Sequence, residues 1–112
     1  MPTLAAIREQ RRSERLSALR QGVRAVAAAF PQTQVWLFGS LARGDWDAYS
    51  DVDLLAIAPA KPEAEALADA LLAAQLGDDV LAMTLDRWEQ LLSSEEPYWR
   101  EIRREAIRLD AP

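Results

Sequence analysis

Cysteine and histidine are both missing from this 112-residue chain. Their absence excludes disulfides, zinc sites of the Cys/His type, a Ser-His-Asp triad and papain-like thiol chemistry. No apolar run approaches the ~20 residues that a bilayer-spanning helix needs, and no signal-peptide pattern opens the chain. The cytoplasm is therefore the expected location. Glycine is scarce, with four in all, and none of them opens the Gly-Lys-Ser/Thr of a P-loop, which closes that route to phosphate. Half of the residues are hydrophobic, as expected of one globular domain over residues 1–112.

The net charge of −5 is unevenly spread. Residues 1–30 hold six Arg against two Glu, while residues 31–112 hold seven basic and sixteen acidic side chains. An acidic body argues against a broad nucleic-acid surface, because phosphate backbones are held by clustered Lys and Arg. It leaves room for a small polyphosphate bridged through metal.

Periodicity predicts a helix from Thr3, which can cap it, to about Ala29, with Leu16, Leu19, Val23, Val26 and Phe30 on one face. The stretch from Arg8 to Arg15 is nearly all polar, so it either lies docked with a solvated face or projects towards a partner. Gly22 would let this helix pack closely on a sheet. Val35–Phe38 reads as a strand, Leu41–Arg43 as a turn of helix, Gly44–Ser50 as a loop and Val52–Ala58 as a second strand. A helix over Pro62–Leu76 follows, with Leu67, Leu71, Leu72 and Leu76 on its buried side and Gly77 just past its end. Asp79–Thr84 is a third strand, Leu85–Leu92 a helix, and Tyr98–Leu109 a final helix with Trp99, Ile102, Ala106 and Leu109 on one face. Trp36, Trp88 and Trp99 sit in apolar patterns and read as core. The order α-β-α-β-α-β-α-α implies an α/β (α+β) fold, a small mixed sheet of about three main strands covered mainly on one side by helices.

The chain is organised around Leu37-Phe38-Gly39-Ser40-Leu41-Ala42-Arg43-Gly44 and the Asp51-Val52-Asp53-Leu54-Leu55 that follows. A glycine where a strand turns into a helix lets backbone approach a ligand, and the helix start and the Ser40 hydroxyl offer donors to an anion. By itself Gly-Ser is as well explained by a turn with a capping serine. Residues i and i+2 of a strand share a face roughly 6–7 Å apart, so Asp51 and Asp53 point one way together. Two such charges repel, and a divalent cation with hard oxygen ligands is the natural guest between them. Arg43 could reach a phosphate or form an ion pair with Asp51, Asp53 or Asp45. Asp45 and Asp47 only superficially start a calcium loop, because Tyr49 and Ser50 fill positions where an EF-hand needs a ligand and a glycine. Trp46 and Tyr49 would stack on a base or simply pack.

Taken together, Gly39-Ser40, Ala42-Arg43-Gly44-Asp45, Ser50 and Asp51-Val52-Asp53-Leu54-Leu55 resemble the signature of the polymerase-beta-type nucleotidyltransferases. Within that superfamily the short chain is similar to the minimal nucleotidyltransferases (MNT), the partners of HEPN proteins in toxin–antitoxin pairs. The resemblance runs over most of residues 20–109. Asp79-Val80-Leu81-Ala82-Met83-Thr84, followed by Asp86-Arg87-Trp88-Glu89, fits the later strand that carries a third acidic residue. Two departures lie at the end, Ala106 where Gly is common and Asp110 where Tyr is common, and the Arg-rich start has no counterpart in the pattern.

The resemblance implies a polymerase-beta-like fold with a catalytic core over residues 35–109. It implies that Gly39 and Ser40 hold the β- and γ-phosphates of ATP. Asp51, Asp53 and Asp79 would be the catalytic, metal-binding carboxylates for two Mg²⁺ ions. Asp78 is a rival to Asp79, and a slip of one residue would turn the side chain to the other face. The implied activity is transfer of AMP from ATP to a protein hydroxyl, a tyrosine of a HEPN-type toxin, with the chain acting as antitoxin. Alternatives are a non-catalytic antitoxin that neutralises its partner by contact, and a nucleotidyltransferase acting on a small molecule of the aminoglycoside type.

Overall fold

The computed structural model describes residues 3–44 and 51–111. In chain order the elements are α1 (Leu4–Ala27), β1 (Gln34–Phe38), α2 (Ser40–Arg43), β2 (Asp53–Ala58), α3 (Lys61–Ala73), β3 (Asp79–Thr84), α4 (Leu85–Leu92), α5 (Pro97–Glu105) and β4 (Ile107–Arg108). The four strands form one mixed sheet in the order β3-β2-β1-β4. β1 runs antiparallel to both β2 and β4, and β2 runs parallel to β3 with α3 as the crossover.

Strand alternation divides the core in two. Val35 and Leu37 of β1 and Leu54 and Ala56 of β2 face one side, where they meet Leu19 and Val23 of α1 and Leu67 and Leu71 of α3. Trp36, Phe38, Leu55 and Ile57 face the other side, against Met83, Trp88, Leu91 and Ile102. Helices thus cover both faces, not mainly one. β2, buried on both sides, accordingly reads as an unbroken apolar run. Trp88 is buried and Trp36 leans on it with ring centroids 5.5 Å apart, while Trp99 packs half-buried at the margin.

α1 starts as expected, the Thr3 hydroxyl accepting the Ala6 N–H at 3.0 Å. Its apolar docking begins only at Leu16, and Leu4 is 81% exposed. Gly22 gives close approach not to the sheet but to the Leu76 side chain. α3 buries Ala64, Leu67, Ala68 and Leu71, a stripe that leaves Leu72 exposed. It also ends three residues before Leu76. Gln75 turns left-handed (φ 59°), Leu76 N–H bonds to Leu71 C=O at 3.1 Å and Gln75 N–H to Leu72 C=O at 3.0 Å. This is a Schellman closure with Gln in the position glycine usually takes. Gly77 serves instead the close passage of the chain over Leu54, whose Cδ1 would lie 2.9 Å from an added Cβ.

The final helix is shorter than its periodicity predicts. Ala106 turns extended, and Ile107–Arg108 pairs with Leu37 and Trp36 of β1. Leu109 N–H donates to Val35 C=O at 2.8 Å, and the Asp110 carboxylate accepts the Val35 N–H at 3.0 Å. Covering an open strand edge outweighs one more helical turn. Leu109 consequently lies in the α1/α3 core, whereas Trp99, Ile102 and Ala106 lie in the other.

A left-handed backbone costs a residue with a Cβ about 1 kcal/mol or more relative to glycine. Gln75→Gly is therefore expected to stabilise the protein by roughly 1 kcal/mol in urea unfolding, with no change in slope.

Candidate active site

β1 runs out at Phe38, and the chain reverses into α2 through Gly39, whose φ of 82° and ψ of −160° suit glycine alone. Phe38 lies opposite Asp53 in the β1–β2 ladder. A Cβ on Gly39 would stand 2.5 Å from Asp53 Oδ2, so the bend and the carboxylate are in direct apposition. Gly44, also left-handed at φ 92°, closes α2, its N–H on the Ser40 C=O at 3.0 Å. Gly39 and Ser40 are half-buried and not sealed behind other side chains.

Asp53 opens β2 and Asp79 opens β3, and the two are directly paired across the parallel ladder. Neighbouring strands are ~4.8 Å apart and paired residues share a face, so both carboxylates project together on the α4/α5 side. Asp51 precedes β2 and is exposed. Asp78, the rival for the third position, is otherwise engaged: its Oδ2 accepts the Val52 N–H at 2.7 Å while its own N–H donates to Val52 C=O at 2.8 Å. That reciprocal tie fixes where β3 starts and leaves Asp79 opposite Asp53.

The electrostatics record this crowding. Asp53 is held above the ordinary carboxylate range, first by partial desolvation and then by the charges of Asp79, Asp51 and Asp78, with Arg43 pulling in the opposite direction. A carboxylate crowded in this way by its neighbours is suited to a hard divalent cation, and the donor set of carboxylates fits one. Among the described residues, no three acidic side chains are already drawn into a metal-ligating group.

Arg43 forms an ion pair across to α5, and the Asp45 named beside it in the sequence lies outside the described residues. The Arg43 Nη1 lies 3.6 Å from Glu105 Oε2 at the end of α5, though its charge still reaches Asp53. From the other side, Arg12 of α1 donates from Nε to Leu41 C=O at 2.9 Å and from Nη2 to Ala42 C=O at 3.0 Å. Arg12 and Glu105 were invisible as site residues in the sequence, since neither stands in a motif and both meet α2 only through tertiary contact. Asp45, Trp46, Asp47 and Tyr49, with their loop, lie outside the described residues. Cavities of about 590 Å³ beside Pro97, Arg100 and Arg103, and of about 600 Å³ beside Asp86 and Gln90, lie on the outer helices and are lined by none of Asp51, Asp53, Asp78 and Asp79.

A strand-to-helix bend thus faces paired acids on adjacent strand starts. The crystal structure of a protein from Sulfolobus solfataricus, described as a candidate nucleotidyltransferase, shares the fold with a TM-score of 0.52 and 21% identity, over 74% of this chain and 78% of that one. Residues 19–107 match the family model of the nucleotidyltransferase domain, and the chain belongs to that family. No curated protein matches it.

Two outcomes follow. Gly39→Ala would force a left-handed alanine into the Asp53 carboxylate, so the variant is expected to lose stability by about 1–3 kcal/mol in urea unfolding. For Asp53, the folded chain binds the carboxyl proton more tightly than the unfolded chain does. Its contribution is therefore favourable below the ordinary carboxylate pKa, is lost as pH rises through the raised folded value, and leaves ionised Asp53 a net liability at neutral pH. Asp53→Asn is expected to raise the melting temperature of the metal-free protein at neutral pH. The gain should shrink as the solution is acidified through the range where Asp53 takes up its proton.

Proposed function

We propose that the chain is a Mg²⁺-dependent nucleotidyltransferase that moves AMP from ATP to a protein hydroxyl, a tyrosine of a HEPN-type toxin, and so acts as an antitoxin in the cytoplasm. The pairing of Asp53 with Asp79 on adjacent strand starts, with Gly39 against the Asp53 carboxylate, carries the reading. Family membership supports nucleotidyl transfer as the general chemistry.

In this reading Gly39 brings the backbone close to the triphosphate, and Ser40 donates its hydroxyl and N–H to the β- and γ-phosphates. Asp51, Asp53 and Asp79 would hold two Mg²⁺, which would supply charge neutralisation for the entering and leaving oxygens of the displacement. The acceptor oxygen forms a bond to the α-phosphorus, the bond from that phosphorus to the bridging oxygen breaks, and pyrophosphate departs with its electrons. Asp79 takes the proton of the attacking hydroxyl. No imidazole base is required, in keeping with a chain that has no histidine. Arg43, held by Glu105, offsets part of the carboxylate charge near Asp53.

The test combines the purified chain, Mg²⁺, ATP labelled in its α-phosphate, and the protein product of the gene next to its own. Label is expected on a tyrosine of that protein, and Asp53→Asn or Asp79→Asn should lower the rate at least about a hundredfold. Tight complex formation without any label would favour the contact-only antitoxin, and label on an aminoglycoside alone would favour the small-molecule enzyme. Mg²⁺ with ATP should raise the melting temperature of the wild type and leave Asp53→Asn nearly unmoved.

A further inference from the structure

α2 carries the bend, yet with four residues it is far too short to hold its own shape. Its closing carbonyls have no intrahelical partners of their own. Those of Leu41 and Ala42 are met by a single guanidinium, Arg12, through Nε at 2.9 Å and Nη2 at 3.0 Å. The remaining nitrogen, Nη1, is steadied by Glu9 Oε1 at 3.2 Å, one turn earlier on α1. Two donors fixed in one plane set both the position and the tilt of the peptides they hold, which a lysine ammonium cannot reproduce. The Arg12 side chain is only 17% exposed, although it stands in the polar half of α1 that makes no apolar contact with the core. On the far side of α2, Arg43 is held by Glu105 of α5. The bend is gripped from two directions.

We infer that Arg12 is a positioning residue for the nucleotide site, holding Gly39 and Ser40 in register with Asp53 without touching the substrate. The inference rests on the nucleotide reading above. It also makes the first turns of α1 part of the working unit, although the family match begins only at residue 19. Nothing in the chemistry of Arg12 competes with the carboxylates for metal, since a guanidinium donates and cannot accept.

Four proteins separate the possibilities: wild type, Arg12→Ala, Arg12→Lys, and Arg11→Ala as a neighbouring change on the same helix. Two quantities are measured, equilibrium binding of ATP with Mg²⁺, and hydrogen exchange of the Arg43 and Gly44 amides, which bond to Gly39 and Ser40 carbonyls. Exchange at Leu55 and Ala56 in β2 monitors the global fold. Arg12→Ala is expected to weaken ATP binding about tenfold and to speed exchange at Arg43 and Gly44 by a similar factor, with β2 exchange unchanged. Arg12→Lys should fall between it and wild type, and Arg11→Ala should match wild type. Unchanged ATP binding in Arg12→Ala, or accelerated exchange that extends equally to β2, overturns the positioning role. Wild-type protein that binds no ATP overturns the nucleotide reading itself, whatever the exchange data say about the grip on α2.

Discussion

The register of three strands governs this molecule. With Phe38 opposite Asp53 and Asp53 opposite Asp79, a glycine bend and two carboxylates are brought into one row at one end of the sheet. Nothing local to any of the three segments would bring them together. The register is in turn secured by burial, because shifting β2 by one residue would exchange Leu54 and Ala56 for Leu55 and Ile57 between two differently shaped cores. Hydrophobic packing deep in the sheet thus supplies the force that keeps like charges close at its rim. The Asp78–Val52 tie adds a polar lock at the same end.

Much of this was legible from sequence for a physical reason: the signals are short-range. A strand-breaking Gly-Ser, an Asp-x-Asp ahead of an apolar run and the 3.6-residue stripe of α1 are each contained within a few neighbours. The helix and strand order could therefore be read nearly complete. Three features were hidden because they are settled elsewhere in space. The α5 periodicity continues smoothly through Leu109, and only the open edge of β1 reveals why Ile107–Arg108 is strand. Asp79 is preferred to Asp78 from sequence because it opens the apolar run, but the bond that engages Asp78 reaches Val52 across 26 residues and no local pattern reports it. Arg12 meets α2 across 29 and 30 residues of sequence, and in its polar surroundings it looked like any solvated arginine.

The covering of both sheet faces was missed for a related cause. α4 and α5 are short, and each contributes few buried side chains, chiefly Trp88, Leu91 and Ile102. Those few suffice because Trp36 and Phe38 rise from the sheet to meet them. Bulk is supplied by aromatic rings on the strand side, so the helices need only narrow apolar stripes. β3 is less fully covered, and Leu81 remains 47% exposed two residues beyond Asp79.

The closure of β1 by β4 and Asp110 has a consequence for biosynthesis. β1 leaves the ribosome some seventy residues before the segment that covers its outer edge, since Leu37 pairs with Ile107. Throughout that interval the edge can pair with any extended chain nearby, including the same segment of another nascent copy. The acidic excess that follows β1 gives such copies a mutual repulsion while they wait.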